Sequence, residues 1–268
     1  MTADVEALRQ RISQLNRATV SKTTLVYFDI IGIAWPIRCL LHLNEVDYDL
    51  IQVSIAEWSR RDDNNQQPLK KALKNGHLPY YVDPDIELNQ SNSILTYLAE
   101  QHGFMGQSTT ERFAILEVMA HAYDALFHWN GLLQTVIRPG IEDEVVKARM
   151  DAFMGNRVWG IVTNGYRNHL DGFRNYLQSN PADSGFFVGD SLTVADLHAF
   201  NLLCNWYKAF DPALFEAEYP DLDACIRQIA RIPGVRDYID NHQEATVWFE
   251  LPQVADRFTT REELQGLV

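Results

Sequence analysis

Gln90, Ser91, Asn92 and Ser93 stand at the head of an apolar pattern, Ile94, Leu95, Tyr97, Leu98 and His102, that recurs at helical spacing and stops at Gly103. A helix start offers unpaired backbone N–H groups and the positive end of the peptide dipoles, so it suits a carboxylate or a phosphate. Gln90 and Ser91 add side-chain donors at the same point. Upstream, Leu78-Pro79 enters Tyr80-Tyr81-Val82, which reads as a short strand. Asp83-Pro84-Asp85 then gives a turn, and Ile86-Glu87-Leu88 a second, alternating strand. A proline there cannot donate to a ladder, and a cis bond before it would turn the neighbouring carbonyl and N–H toward a ligand. Taken alone, this stretch fits equally well an ordinary N-cap at Ser91 and an ordinary strand-edge proline.

The remaining reactive side chains exclude several kinds of chemistry. Cys39, Cys204 and Cys225 are far apart, odd in number and form no CxxC pair. The eight histidines form no ligand cluster, so no metal is expected. This cysteine usage favours a reducing, cytoplasmic setting over secretion. The net charge of −13 makes nucleic acid and anionic membrane poor partners. No apolar run approaches the length of a membrane span. At 268 residues, 46% hydrophobic and 22% charged, the chain can bury one large or two modest cores without disulfides.

The elements that must position the first group come from the rest of the chain. Residues 1–22 read as a helical extension with Val5, Leu8, Ile12 and Leu15 on one face. Residues 24–28 are β-branched and aromatic and predict a strand. Gly32 breaks it, and residues 34–43 predict a helix with Pro36 in its first turn. Residues 48–53 predict another strand, so strand, helix and strand form a right-handed parallel crossover. Residues 54–76 read as irregular, with Trp58, a polar run and a short lysine-rich helix. With the two strands and the helix at 91–103, residues 23–104 have the arrangement of a thioredoxin-like α/β domain. Beyond them the strand signals fade. Residues 110–133 and 142–177 each read as a long helix, separated by Pro139-Gly140. Thr193 with Asp196 three residues on resembles a capping box ahead of a buried helix. Helices are further expected at 222–230 and 235–242. The second domain, 110–246, is therefore expected to be all-helical, followed by a tail at 247–268.

In this order and spacing the chain resembles the cytosolic glutathione transferases that use a tyrosine, the sigma and pi classes above all. The resemblance covers roughly residues 24–245. It is carried by Tyr27-Phe28 with Gly32 after it, Ile37-Arg38-Cys39-Leu40-Leu41, Trp58, Leu78-Pro79, residues 90–95, Tyr97-Leu98-Ala99, and the run from Phe187 to Asp196. It implies that Tyr27 binds the glutathione sulfur and that Trp58 bonds the glycyl end of the tripeptide. It implies further that the Leu78 backbone, before Pro79, pairs with the cysteinyl amide and that Gln90 and Ser91 hold the γ-glutamyl carboxylate. Lys70 or Lys71 takes the place of a lysine for the glycyl carboxylate. Phe28, Ile33 and Trp35 on one side, and Phe127 and Trp129 on the other, would line a pocket for an apolar electrophile between the domains. Two positions depart from the pattern: Ile33 stands where an arginine is common, and His77 where a glutamine is common. Both imply weaker tripeptide contacts or a changed specificity. Asp124 substitutes for an acidic residue that reaches across a homodimer. The leading expectation is glutathione conjugation to an apolar electrophile, or a glutathione-dependent isomerisation. The alternatives are a catalytically weak or inactive structural or assembly protein on the same scaffold, and a binder of apolar ligands.

Overall fold

The computed structural model describes residues 3–136, 143–154, 157–158, 161–162, 165–204 and 212–241. They fall into two compact units, one holding Met1–His102 and the other Gly103–Asn241. The expected break at Pro139-Gly140 and the tail at 247–268 lie outside the described residues.

The first unit begins with helix α1 (Ala3–Ser13) and strand β1 (Thr23–Phe28). A 3-10 turn over Gly32–Ala34 leads into α2 (Trp35–Leu43), with Pro36 where its missing N–H costs nothing. Strand β2 (Tyr48–Val53) follows, then two five-residue helices, α3 (Ile55–Ser59) and α4 (Pro68–Ala72). Strands β3 (Tyr80–Val82) and β4 (Glu87–Asn89) precede α5 (Ser91–His102). The four strands form one sheet in the order β2-β1-β3-β4, with β1 parallel to β2 and the other pairs antiparallel. This is the thioredoxin-like arrangement expected from the sequence.

Register divides the sheet into two faces. Val26 lies opposite Ile51 of β2 and Tyr80 of β3, and these three, with Val53 and Val82, join one buried cluster. Tyr27, one residue on, points the other way and packs with Ile30 and Ala34. The period of two thus puts the phenol and the Val26 cluster on opposite sides of β1.

The second unit opens with the long α6 (Thr109–Val136) and α7 (Asp143–Met154). The segment 142–177, expected as one helix, divides instead. After α7 the chain makes a small antiparallel pair, β5 (Arg157–Val158) with β6 (Ile161–Val162), before α8 (Tyr166–Ser179). The sequence between these elements contains Gly155-Asn156, Gly160 and Asn164-Gly165, residue types that disfavour a continuous helix. Helix α9 (Val194–Leu202) is buried along its whole length and packs on α6. Helices α10 (Pro212–Glu218), α11 (Pro220–Ala230) and α12 (Pro233–Asn241) complete the unit. At the head of α9, Asp196 accepts from the Thr193 N–H at 2.7 Å, the Thr193 hydroxyl at 2.6 Å and the Phe187 N–H at 2.8 Å. That carboxylate ties the preceding loop to the core helix.

Candidate glutathione site

The first unit brings most of the predicted site residues into one continuous set of contacts. Tyr27 closes β1 and is 4% exposed. Its hydroxyl accepts from the Ile33 N–H at 3.1 Å. A phenol both accepts and donates, so its own proton remains available. Burial pushes the phenol up to about 12, against the opposing pulls of the Ile33 N–H and the Arg38 charge. Raised in this way, the phenol keeps its proton across the physiological range. Gly32 makes room for it. Its φ is +48°, and a Cβ there would overlap the Tyr27 hydroxyl. Only glycine meets both conditions without strain.

Arg38 is a supporting residue whose part the sequence reading missed. It is 1% exposed, on the otherwise apolar inner face of α2. Its guanidinium donates to the carbonyls of Ile30 at 3.2 Å and Ile31 at 2.8 Å, and lies 6.0 Å from the Tyr27 ring centroid. It thereby fixes the loop between β1 and the 3-10 turn, the loop that delivers Ile33 to the phenol. A charged residue inside the apolar run Pro36–Leu41 was the available signal.

From Tyr27 the contacts run in two directions. Leu78, Phe28 and Ile33 pack around the Tyr27 cluster, and the Leu78–Pro79 bond is cis. Phe28 meets Trp58 edge-on, with centroids 5.6 Å apart, and the Lys70 ammonium lies 5.5 Å from the Trp58 ring centroid. Trp58 is set by α3, which begins in a capping box: Ser54 Oγ accepts from the Glu57 N–H at 3.1 Å, and the Glu57 carboxylate accepts from the Ser54 N–H at 2.8 Å. Lys71, the other candidate lysine, is exposed.

In the second direction, Asn89 links the strand end to the cis-proline segment. Its Nδ2 donates to the His77 carbonyl at 2.8 Å, and its Oδ1 accepts from Asn75 at 3.3 Å. Asn89 was not singled out from the sequence; its place at the end of an alternating strand gave no hint of this tie. Only the His77 backbone takes part in that bond, and the residue is exposed. Gln90 has φ of +75°, a left-handed conformation that non-glycine residues seldom take. Its carbonyl accepts from the Ile94 N–H at 3.1 Å, which makes Gln90 the cap residue of α5 and Ser91 the first helical one. Ser91, where α5 begins, is 4% exposed and stands one residue past the N-cap position that the sequence also allowed it. The exposed Gln90 and the Ser91 hydroxyl stand together at the helix start, where an anion is favoured.

The residues expected to hold an electrophile are less uniform. Phe28 and Ile33 are half-buried beside Tyr27, and Trp35 is buried at the start of α2. Trp129 is not a wall residue. It is 1% exposed and packs on Phe153 at 5.4 Å, within the core of the helical unit. Its position in a long apolar helical pattern did not distinguish core from pocket. Phe127 is 67% exposed, and Asp124 is exposed beside it on α6. Among the described residues no group of three or more His, Cys, Asp or Glu could hold a metal, and no helix is long and apolar enough to cross a membrane.

Residues 23–100 match the family model "Glutathione S-transferase, N-terminal domain", and residues 159–242 match "Glutathione S-transferase, C-terminal domain". The chain is similar to glutathione S-transferase 4 of Caenorhabditis elegans, 26% identical over 227 residues, covering 83% of this chain and 98% of that protein. It is similar to glutathione S-transferase P 1 of Xenopus laevis, 28% identical over 215 residues, covering 80% and 90%. A solved glutathione S-transferase of Caenorhabditis elegans superposes with a TM-score of 0.64 at 25% identity, covering 82% of this chain and 98% of that one. Monomeric Na-GST-3 from the hookworm Necator americanus shares the fold, with a TM-score of 0.67 at 22% identity, covering 82% and 97%.

Proposed function

The chain belongs to the glutathione S-transferase family and is a glutathione transferase; on that premise we propose that Tyr27 is the residue that keeps the glutathione sulfur ionised. The observation that carries this is the Tyr27 hydroxyl itself, which accepts from the Ile33 N–H and so aims its own proton elsewhere. An unperturbed thiol has a pKa of about 8.5, so only a few per cent is thiolate at neutral pH. A hydroxyl donating to the sulfur stabilises the anion. A downward shift of about two units is worth roughly 2.7 kcal/mol and makes thiolate the main species. A phenol pushed up to about 12 suits this role, because it stays protonated and remains a donor throughout.

The other residues bind and orient. The Leu78 backbone pairs with the cysteinyl amide in the manner of an added strand. Gln90 and Ser91 hold the γ-glutamyl carboxylate at the start of α5. Trp58 and Lys70 hold the glycyl end, Lys70 supplying charge and Trp58 the ring that places it. With the sulfur so held, an apolar electrophile placed within reach reacts without further acid or base. Phe28 and Ile33, beside Tyr27, are the residues of the first unit suited to meet it. The same thiolate would also support a glutathione-dependent isomerisation.

We further propose that the protein acts in the cytoplasm and as a homodimer. Helix α6 presents Phe113 at 64%, Tyr123 at 44% and Phe127 at 67% exposure, an apolar display that a second copy would cover. Asp124 on that display is then placed to reach toward the partner. The functional reading is tested by Tyr27→Phe. Conjugation of a generic aromatic electrophile should fall at least about tenfold while glutathione still binds. A variant as fast as the parent removes Tyr27 from the mechanism.

A further inference from the structure

The segment ahead of β1 is built into the same cluster that carries the glycyl side of the candidate site. Val26, Ile51, Val53, Tyr80 and Val82 form one apolar face of the sheet. Helix α1 lies over it through Val5 and Ile12, each 1% exposed, with Leu8, Leu15 and Val20 packed alongside. The Tyr80 hydroxyl donates to the Leu15 carbonyl at 3.0 Å and fastens the end of the extension to β3. The cluster also contains Leu69 and Leu73, with Ala72, Trp58 and Leu78 at its edge. Helix α4 and the residue after it are thus packed against α1.

Besides α1, helix α4 meets the sheet residues of this cluster, and Gln67 at its start donates to the Trp58 carbonyl at 3.4 Å, but by itself it is a weak element. It has five residues, no side-chain capping bond at its N-cap, and a polar loop before it. A helix of one turn is unstable by itself and takes its stability from packing. Leu69 and Leu73 face the cluster, while Lys70 between them reaches over Trp58. Whatever fixes Leu69 and Leu73 therefore fixes Lys70.

We propose that α1 is a splint for α4: a positioning element that holds Lys70 against Trp58 in the arrangement that receives the glycyl end of glutathione. The substrate end rests on the functional reading above; the bracing of α4 does not. A loosened α4 would lower the fraction of molecules competent to bind, and apparent affinity falls in proportion to that fraction. The chemistry at Tyr27 would be spared, because Tyr27 is on the opposite face of β1 and the buried members of its cluster are distinct, although Leu78 packs at the edge of both.

The test is Ile12→Ala, with Ile12→Leu as the conservative control. Amide hydrogen exchange reads the splint directly, through the Lys71 N–H bonded to the Gln67 carbonyl and the Leu73 N–H bonded to the Lys70 carbonyl. In Ile12→Ala both amides should exchange about tenfold faster while those of α2 and α5 are unmoved. The KM for glutathione should rise about three- to tenfold, with kcat at saturating glutathione within about twofold of the parent. Ile12→Leu should restore both. Tyr80→Phe, which removes the hydroxyl's bond to Leu15 together with its bond to the Glu87 side chain, should shift the same two readouts in the same direction and serves if Ile12→Ala does not fold. Unchanged exchange in α4, or a fall in kcat with KM unmoved, overturns the proposal. A parent that does not turn over glutathione overturns the functional reading, and exchange in α4 then decides the splint alone.

Discussion

Gly32 and Tyr27 are matched to one another: the glycine backbone passes so close to the phenol that a Cβ at residue 32 would occupy the place of the hydroxyl. The φ of +48° at Gly32 adds a second reason for glycine. Gly32→Ala should therefore displace the Tyr27 hydroxyl or the turn that carries Ile33. Steady-state kinetics should show kcat/KM reduced about tenfold or more, a loss of at least roughly 1.4 kcal/mol of transition-state stabilisation. Parent-like kinetics in this variant would mean that the hydroxyl has freedom the packing does not show.

The two candidate lysines are separated by their surroundings. Lys70 lies over Trp58, an interaction worth about 0.5–1 kcal/mol at such a site, whereas Lys71 is exposed. Lys70→Ala should raise the KM for glutathione about three- to tenfold with little change in kcat, the sign of lost uniform binding. Lys71→Ala should leave both near the parent values. The reverse order would transfer the glycyl contact to Lys71.

The exposed aromatics of α6 predict the oligomeric state. Phe127→Asp places a charge in the display formed with Phe113 and Tyr123. Light scattering after size exclusion should show a dimer for the parent and a monomer for the variant. A monomeric parent would leave the display without the proposed partner, as a monomer is also found among similar folds.

Acid stability should report on α9. Burial holds the His198 imidazole well down, at about 4, and its Nδ1 has no hydrogen-bond partner among the described residues. The ordinary histidine value is about 6.5, so the unfolded chain takes up the proton first as pH falls. The stability His198 contributes is present above pH 6.5 and is lost as pH drops toward 4. The loss is on the order of 3 kcal/mol. Asp196, pushed up to about 6 by burial, acts in the opposite sense over an overlapping window, so the two must be separated by mutation. In thermal melts, His198→Leu should fall less steeply than the parent between pH 6.5 and 4. Parallel curves would show that His198 is protonated in the folded state.

The sheet and its long helices were legible because their burial follows simple periods. Leu25, Val26 and Tyr27 in β1 and the apolar stripe of α5 announce themselves within a few residues. Tyr27, Trp58, Pro79 and Ser91 were legible as a candidate site only as an ordered set, since each alone fits ordinary packing. What escaped was short or tertiary. Helix α3 is too brief to show a period, and its capping box at Ser54 and Glu57 lay inside a stretch read as irregular. The 142–177 segment kept an apolar rhythm across the β5-β6 pair, so its glycines carried the only warning. Arg38 and Asn89 act through backbone carbonyls outside their own elements, so helix and strand periods do not reveal those bonds; for Arg38 the one local sign was a charge inside an apolar run. Trp129 looked the same from sequence whether it faced a core or a cavity, and the packing on Phe153 decided the matter.

The central claim is that the Tyr27 hydroxyl ionises a bound thiol, and it is read most directly from the thiolate ultraviolet absorbance of bound glutathione as a function of pH. In the parent the bound thiol should titrate about two units below the value in free glutathione, and in Tyr27→Phe that depression should largely disappear while binding persists. A bound thiol that titrates at the same pH in both proteins would contradict the account.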